Sequence, residues 1–187
     1  RTEQITLDGG ATWLAGGSTE ATNLDEVRRI RASAKAAGGM PHASTLEVGW
    51  RAFVDRSFDG GKTWERSPYL TVTDTHVLKG KLPSTDGAEG ERRVQVGLIQ
   101  PSIWASSDTD VHVLCRSNGG AIYRSDSADG GRTWSPAVRT AMPNNNSGID
   151  VCRLTGSGRL VMCHNPTGTN WGARTPLRLS VSEDNGH

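Results

Sequence analysis

Long apolar runs are missing from this chain. No stretch approaches the ~18 residues a membrane-crossing helix requires, and only 34% of the 187 residues are hydrophobic. A membrane span is therefore not expected. An excess of either charge is missing too. Lys and Arg number 21 against 20 Asp and Glu, a net charge of +1, which argues against a nucleic-acid module or a polybasic membrane anchor. Cysteine is scarce: Cys115, Cys152 and Cys163 are the three present. An odd, widely spaced set is no disulfide framework, and without a C-x-x-C pair there is no zinc signature. All three lie in alternating apolar segments and read as small buried side chains. The opening Arg1-Thr2-Glu3-Gln4 contains neither an initiator Met nor the apolar core of a secretion signal. The N-terminus is thus expected to be incomplete, and no compartment is indicated.

Glycine, by contrast, is abundant at 23 residues, and tryptophan at 6. Much Gly with little Leu, Ile and Val points to short strands joined by tight turns. An internal repeat gives this form. Ser57-Phe58-Asp59-Gly60-Gly61-Lys62-Thr63-Trp64 matches Ser127-Ala128-Asp129-Gly130-Gly131-Arg132-Thr133-Trp134. Thr6-Leu7-Asp8-Gly9-Gly10-Ala11-Thr12-Trp13 is a looser copy, and Ser182-Glu183-Asp184-Asn185-Gly186 begins a fourth. The rule is Ser/Thr-x-Asp-x-Gly-x-Thr-Trp. Its chemistry is that of a turn. Asp accepts hydrogen bonds from nearby backbone N–H groups and Gly supplies positive φ. Thr suits a strand, and Trp anchors a small core. Identical carboxylates in every repeat cannot all face one site, so a catalytic or metal-binding role for each Asp is rejected.

Short alternating strands precede the motifs, at 50–56, 121–126 and 175–181. Further strands are expected at 97–105 and 110–115 before the third motif, and at 148–154 and 159–163 before the fourth. A unit therefore reads strand, strand, strand, Asp-Gly turn, strand. Four strands in about 50 residues is the pattern of a β-propeller blade.

The octets resemble the Asp boxes of the BNR/Asp-box sialidase superfamily. The likeness extends to Leu98-Ile99-Gln100-Pro101-Ser102-Ile103-Trp104, Ile122-Tyr123-Arg124-Ser125-Asp126-Ser127, Pro143-Asn144-Asn145-Asn146-Ser147-Gly148-Ile149-Asp150 and Arg174-Thr175-Pro176-Leu177. These segments look like those of predicted neuraminidases, the exo-α-sialidase-like proteins. The resemblance implies an all-β fold, a sialidase-like β-propeller of six blades when complete. About three to four four-stranded blades are expected here. Residues 1–13 would be a partial blade ending in a box, 14–39 an insertion, and 40–187 propeller blades cut short at the C-terminus. The insertion departs from the family. Asn23 and Glu26 resemble a capping box, and Leu24, Val27 and Ile30 share a helical stripe, so it reads as a short helix or a disordered segment. A stack of blades short of the full ring would leave the site half-built, so the segment alone is expected to be inactive and prone to self-association.

Topology limits where chemistry can sit. In an up-and-down blade the turn between strands three and four lies on one rim. The start of strand one and the turn between strands two and three lie on the other. The boxes fill the first rim with tight turns; the longer loops, 142–147 and 164–173, belong to the second, where function is expected. Gln100 and Asn146 are placed there at the starts of inner strands, with Asp150 further along. Arg116 ends a second strand, and His164, Asn165, Asn170, Trp171 and Arg174 follow another; His42 precedes an inner strand of an earlier blade. His112 falls on the box side and is expected to take no part, and Tyr123 reads as packing.

The resemblance implies release of a terminal sialic acid, or a related acidic sugar, from a glycan. A planar carboxylate suits the guanidinium fork, so Arg116 and Arg174 are the expected carboxylate ligands, with Gln100, Asn146 and Asn165 for hydroxyls. Asp150, with His164 second, is the expected proton donor to the leaving oxygen. The Tyr–Glu pair of the family would lie beyond His187. No metal or organic cofactor is implied, and the expected partner is a glycan or acidic sugar, not nucleic acid. Two alternatives stand beside this reading: a uronate-specific polysaccharide lyase and a non-catalytic glycan-binding propeller.

Overall fold

The computed structural model describes residues 4–6, 13–19, 50–81 and 89–187. Among these residues there are thirteen strands and no helix. The first sheet contains β1 (Gln4–Thr6), β2 (Trp13–Thr19), β3 (Arg51–Ser57) and β4 (Glu65–Arg66), in that spatial order. A separate antiparallel hairpin follows, β5 (Thr75–Lys81) with β6 (Glu89–Gln95). The second sheet runs β7 (Leu98–Ala105), β8 (Val111–Ser117), β9 (Ala121–Ser127), β10 (Val138–Pro143). The third has β11 (Asp150–Arg153), β12 (Leu160–His164) and β13 (Arg178–Ser182). Each neighbouring pair within a sheet is antiparallel. This is the all-β, four-stranded blade pattern the sequence led us to expect.

The first sheet differs from expectation in its assembly. Residues 14–19, read as the start of an insertion, are strand β2, paired with β3 from Trp13↔Ser57 to Thr19↔Arg51. Gly16 and Gly17 interrupt the alternation that would have revealed it. The octet beginning at Thr6 bridges β1 and β2, with Thr6 opposite Trp13; its turn, 7–12, lies outside the described residues. So do the possible helix within 20–39 and His42. The hairpin β5–β6 was not foreseen either. Its sequence, Thr-His-Val-Leu-Lys-Gly-Lys and Glu-Gly-Glu-Arg-Arg-Val-Gln, is too polar to read as strand.

Strict alternation in β8 and β9 feeds two cores. Val111, Val113 and Cys115, with Ala121 and Tyr123, face the first sheet and meet Ala52, Val54, Leu70 and Val72. Leu114 and Ile122 face the third sheet and meet Val151, Leu160 and Met162. The second sheet is thus covered on both faces, and β8 and β9 are buried at nearly every position. Burial raises the Cys115 thiol to about 12, so it stays protonated. Cys152, expected inside, is exposed, because β11 offers only Val151 to a core. Tyr123, 1% exposed, donates its hydroxyl to Asp74 at 2.8 Å, which fits packing. The sheets are also tied at their first strands: Val151 N donates to Ser102 Oγ at 2.8 Å, and an Arg153 Nη1 donates to the Ala105 carbonyl at 2.9 Å.

The boxes 57–64 and 127–134 are built alike. Asp129 Oδ1 accepts from Ser127 Oγ, Arg132 N and Thr133 N at 2.8–2.9 Å, and its Oδ2 accepts from Thr133 Oγ1 at 2.6 Å. Asp59 repeats every one of these contacts. The Gly pairs take positive φ, and each box Trp donates its indole N–H to the second Gly carbonyl. Two boxes, 127–134 and the one beginning at Ser182, are also gripped from the sheet before them. Arg56 donates to the Gly130 carbonyl at 3.0 Å, and Arg124 to the Asn185 carbonyl at 2.7 Å. Both carbonyls occupy the same position of their octets.

Candidate functional site

Chain direction places the two rims. The turn 106–110 and the box 127–134 share one rim, where Gly130 N donates to the Thr109 carbonyl at 2.8 Å. The start of β7, the β8–β9 turn and the stretch 144–149 leading to β11 share the other. All seven expected site residues lie at the second rim.

Arg116 is the centre of the arrangement. It lies on the face of β8 that looks toward the third sheet, two residues beyond Leu114. Its Nε donates to Asn146 Oδ1 at 3.1 Å and an Nη donates to Gln100 Oε1 at 2.7 Å. Among the described residues, the Arg116 side chain donates to two amide oxygens and to no carboxylate. Burial and the nearby Arg174 guanidinium lower its pKa. Two cations are therefore held close together in a partly dry setting, which favours an anion between or beside them.

Asn146 is held by its neighbours. Asn144, Asn145, Asn146 and Ser147 are all nearly fully buried, a rare state for such polar residues. Asn144 Oδ1 accepts from Ser117 N and Asn146 N, and Asn144 Nδ2 donates to the Ser147 carbonyl. Asn145 Nδ2 donates to the Gly172 and Ala173 carbonyls, while Trp171 N donates to the Asn145 carbonyl at 3.0 Å. Asn165 Nδ2 donates to the Arg174 carbonyl at 2.6 Å and to the Pro176 carbonyl at 3.0 Å. Thus Asn145 and Asn165 fasten the loop 166–177 over the second sheet. Gly120 and Gly168 complete the contact, where a Cβ on either would stand 2.9 Å from the other's carbonyl oxygen.

Backbone strain gathers at this rim. Among the described residues, the non-glycine residues with positive φ are Gln100 (49°), Asn146 (64°), Trp171 (58°) and Asn185 (60°). The first three sit at the mouth that holds Arg116. A left-handed Gln or Trp costs roughly 1–3 kcal/mol and persists only where surrounding structure imposes it. Trp171 is nevertheless 63% exposed. Asn146 Nδ2 is buried and has no hydrogen-bond partner among the described residues.

The remaining expected residues separate. Asp150 is half-buried at the start of β11 on the same rim. Arg174 is exposed at the loop end. Asn165 is buried and serves the loop, so it is a scaffold for the site and not a surface for hydroxyls. His164 is 1% exposed and its Nε2 lies 2.9 Å from Ser180 Oγ. Burial lowers its pKa, so it is neutral inside its sheet and poorly placed to protonate a sugar. Asn145 and Ser147 were not singled out from sequence; the run Asn-Asn-Asn-Ser was the available sign.

A second chemistry-bearing cluster stands on the box rim. His112 Nδ1 donates to Asp126 at 2.6 Å, and Ser106 Oγ lies 2.7 Å from its Nε2. These are the contacts of a Ser-His-Asp relay, but its surroundings are those of a joint. Asn185 Nδ2 reaches the same Nε2 at 3.1 Å, Trp104 stacks on the ring, and Ser106 N is bonded to the Asp110 carbonyl. The relay secures the fourth box; its serine N–H is not free to stabilise an oxyanion.

Antiparallel four-stranded sheets pinned by Asp boxes, with a polar mouth on the opposite rim, define a repeat protein of the Asp-box type. The chain belongs to the BNR repeat-like domain family, whose match covers residues 1–187. No curated protein matches. Among solved structures, it is similar to a protein of unknown function from Dyadobacter fermentans, with 15% identity and a TM-score of 0.37, covering 96% of this chain and 59% of that one. It is also similar to a point mutant of the NanB sialidase of Streptococcus pneumoniae, with 12% identity and a TM-score of 0.38, covering 74% of this chain and 27% of that one. The chain therefore spans less than two thirds of either structure.

Proposed function

We propose that the protein carrying this segment is a sialidase-type glycoside hydrolase that removes a terminal acidic sugar, a sialic acid or a close relative, from a glycan. The observation that carries this reading is Arg116. Its guanidinium is oriented by Gln100 and Asn146, kept from any carboxylate among the described residues, and placed near Arg174. Such a pair suits a sugar carboxylate, which accepts two parallel N–H bonds from a fork. Gln100, exposed at the mouth, is the proposed ligand for ring hydroxyls, while Asn146, 1% exposed, orients Arg116. Asp150 is the proposed acid for the leaving oxygen, being on the same rim and half-buried. Membership of the BNR repeat-like family supports the reading at the level of class.

The test is turnover of a terminal α-sialoside by the full-length protein. Release of the free acidic sugar is the expected result. An unsaturated product absorbing in the ultraviolet would replace hydrolysis by uronate elimination. Saturable binding with no product would assign a glycan-binding role instead.

A further inference from the structure

Trp171 is the feature of the mouth that carboxylate recognition leaves unused. It is a large indole, 63% exposed, in a loop whose other contacts are tight. Its backbone is held left-handed by the N–H bond to Asn145 and by the turn that Gly172 N closes on the Thr169 carbonyl at 2.7 Å. Its ring is held too: the indole of Trp50 meets it edge-on, with centroids 6.3 Å apart. Trp50 is itself anchored at its backbone, where its carbonyl accepts from Leu98 N at the start of β7. An exposed aromatic face with a held backbone and an edge contact on its ring has less freedom to lose when something binds. That is the condition for an economical stacking surface.

We infer that Trp171 is a platform for a neutral pyranose ring, the sugar next to the acidic one, so that the substrate is an oligosaccharide. The apolar C–H face of a pyranose matches the indole π-face. This inference rests on the proposed function for the acidic sugar, but not for the stacking itself.

The experiment compares two substrates of the full-length protein: a methyl α-sialoside, which has no second ring, and a sialyl-lactose, which has two. In Trp171→Ala the ratio of kcat/KM for sialyl-lactose over the methyl glycoside falls about 10-fold, mostly through KM, while Trp171→Phe restores most of it. An unchanged ratio in Trp171→Ala overturns the inference, as does an equal loss on both substrates. Saturation-transfer NMR with lactose separates this from failure of the activity. If the wild type turns over neither substrate, lactose signals that vanish in Trp171→Ala uphold the platform and reject the hydrolase, whereas absence of lactose signals in the wild type rejects the platform.

Discussion

Replacing Asp129 by Ala is the perturbation that best isolates what a box contributes. The carboxylate collects four donors: Ser127 Oγ at 2.8 Å, Arg132 N at 2.9 Å, Thr133 N at 2.9 Å and Thr133 Oγ1 at 2.6 Å. A hydrogen bond contributes about 1 kcal/mol net, which gives an upper figure of ~4 kcal/mol for the set. The turn is largely exposed, so the freed donors regain water and roughly half of that should be lost. A further loss follows from the grip of the neighbouring sheet. Arg56 donates to the carbonyls of Asp129 and Gly130 at 3.3 and 3.0 Å, and a box without its central acceptor holds those carbonyls less firmly. The expected destabilisation is ~2–3 kcal/mol, read from urea unfolding of the full-length protein. Asp129→Asn, which keeps one acceptor oxygen, should lose about half as much. A loss below ~0.5 kcal/mol in Asp129→Ala, within the range of ordinary surface substitutions, would refute the account of the box as a hydrogen-bonded pin.

Acid gives a second view of the same groups. Asp129 is opposed by slight burial, but its Thr133, Ser127 and Arg132 donors lower it from 3.8 to about 2. Asp59 reaches about 2 chiefly through Thr63. Folded pKa values below the unfolded ones mean this stabilisation is present above pH 3.8 and is lost as pH falls toward 2; Asp129→Asn should flatten the stability curve there, and an unflattened curve contradicts the linkage. Gly120→Ala places a Cβ 2.9 Å from the Gly168 carbonyl oxygen at a φ of 78°, so it should destabilise by ~1–3 kcal/mol and raise KM by displacing the loop; an unaltered melt would show the contact to be slack. Arg116→Lys keeps the charge but loses the fork held by Gln100 and Asn146, and should cost at least 10-fold in kcat/KM; full activity would show that charge alone suffices.

The parts of the fold legible in the sequence were those with local chemistry. The Asp-Gly-Gly turns announced themselves by repetition, and the strands of 97–127 by short apolar segments bounded by turn residues. The rim on which Gln100, Arg116 and Asn146 lie was legible as well, since strand direction alone separates them from the boxes. What resisted reading depended on distant partners. The glycines of β2 and the charges of β5 and β6 hide strands that only pairing reveals. The fastening role of Asn145 and Asn165 depends on carbonyls of a loop that no periodicity places. His164 looked available in sequence and proves buried, because Ser180 across the sheet claims its Nε2.

The proposed function places an acidic sugar at the mouth opposite the boxes. The most direct measurement is a crystal structure of the full-length protein soaked with free sialic acid. The account predicts the sugar carboxylate within about 3 Å of the Arg116 guanidinium, with Arg174 turned toward it. A carboxylate bound on the rim of Asp59 and Asp129, or a sugar at the second rim with its carboxylate away from Arg116, would contradict it.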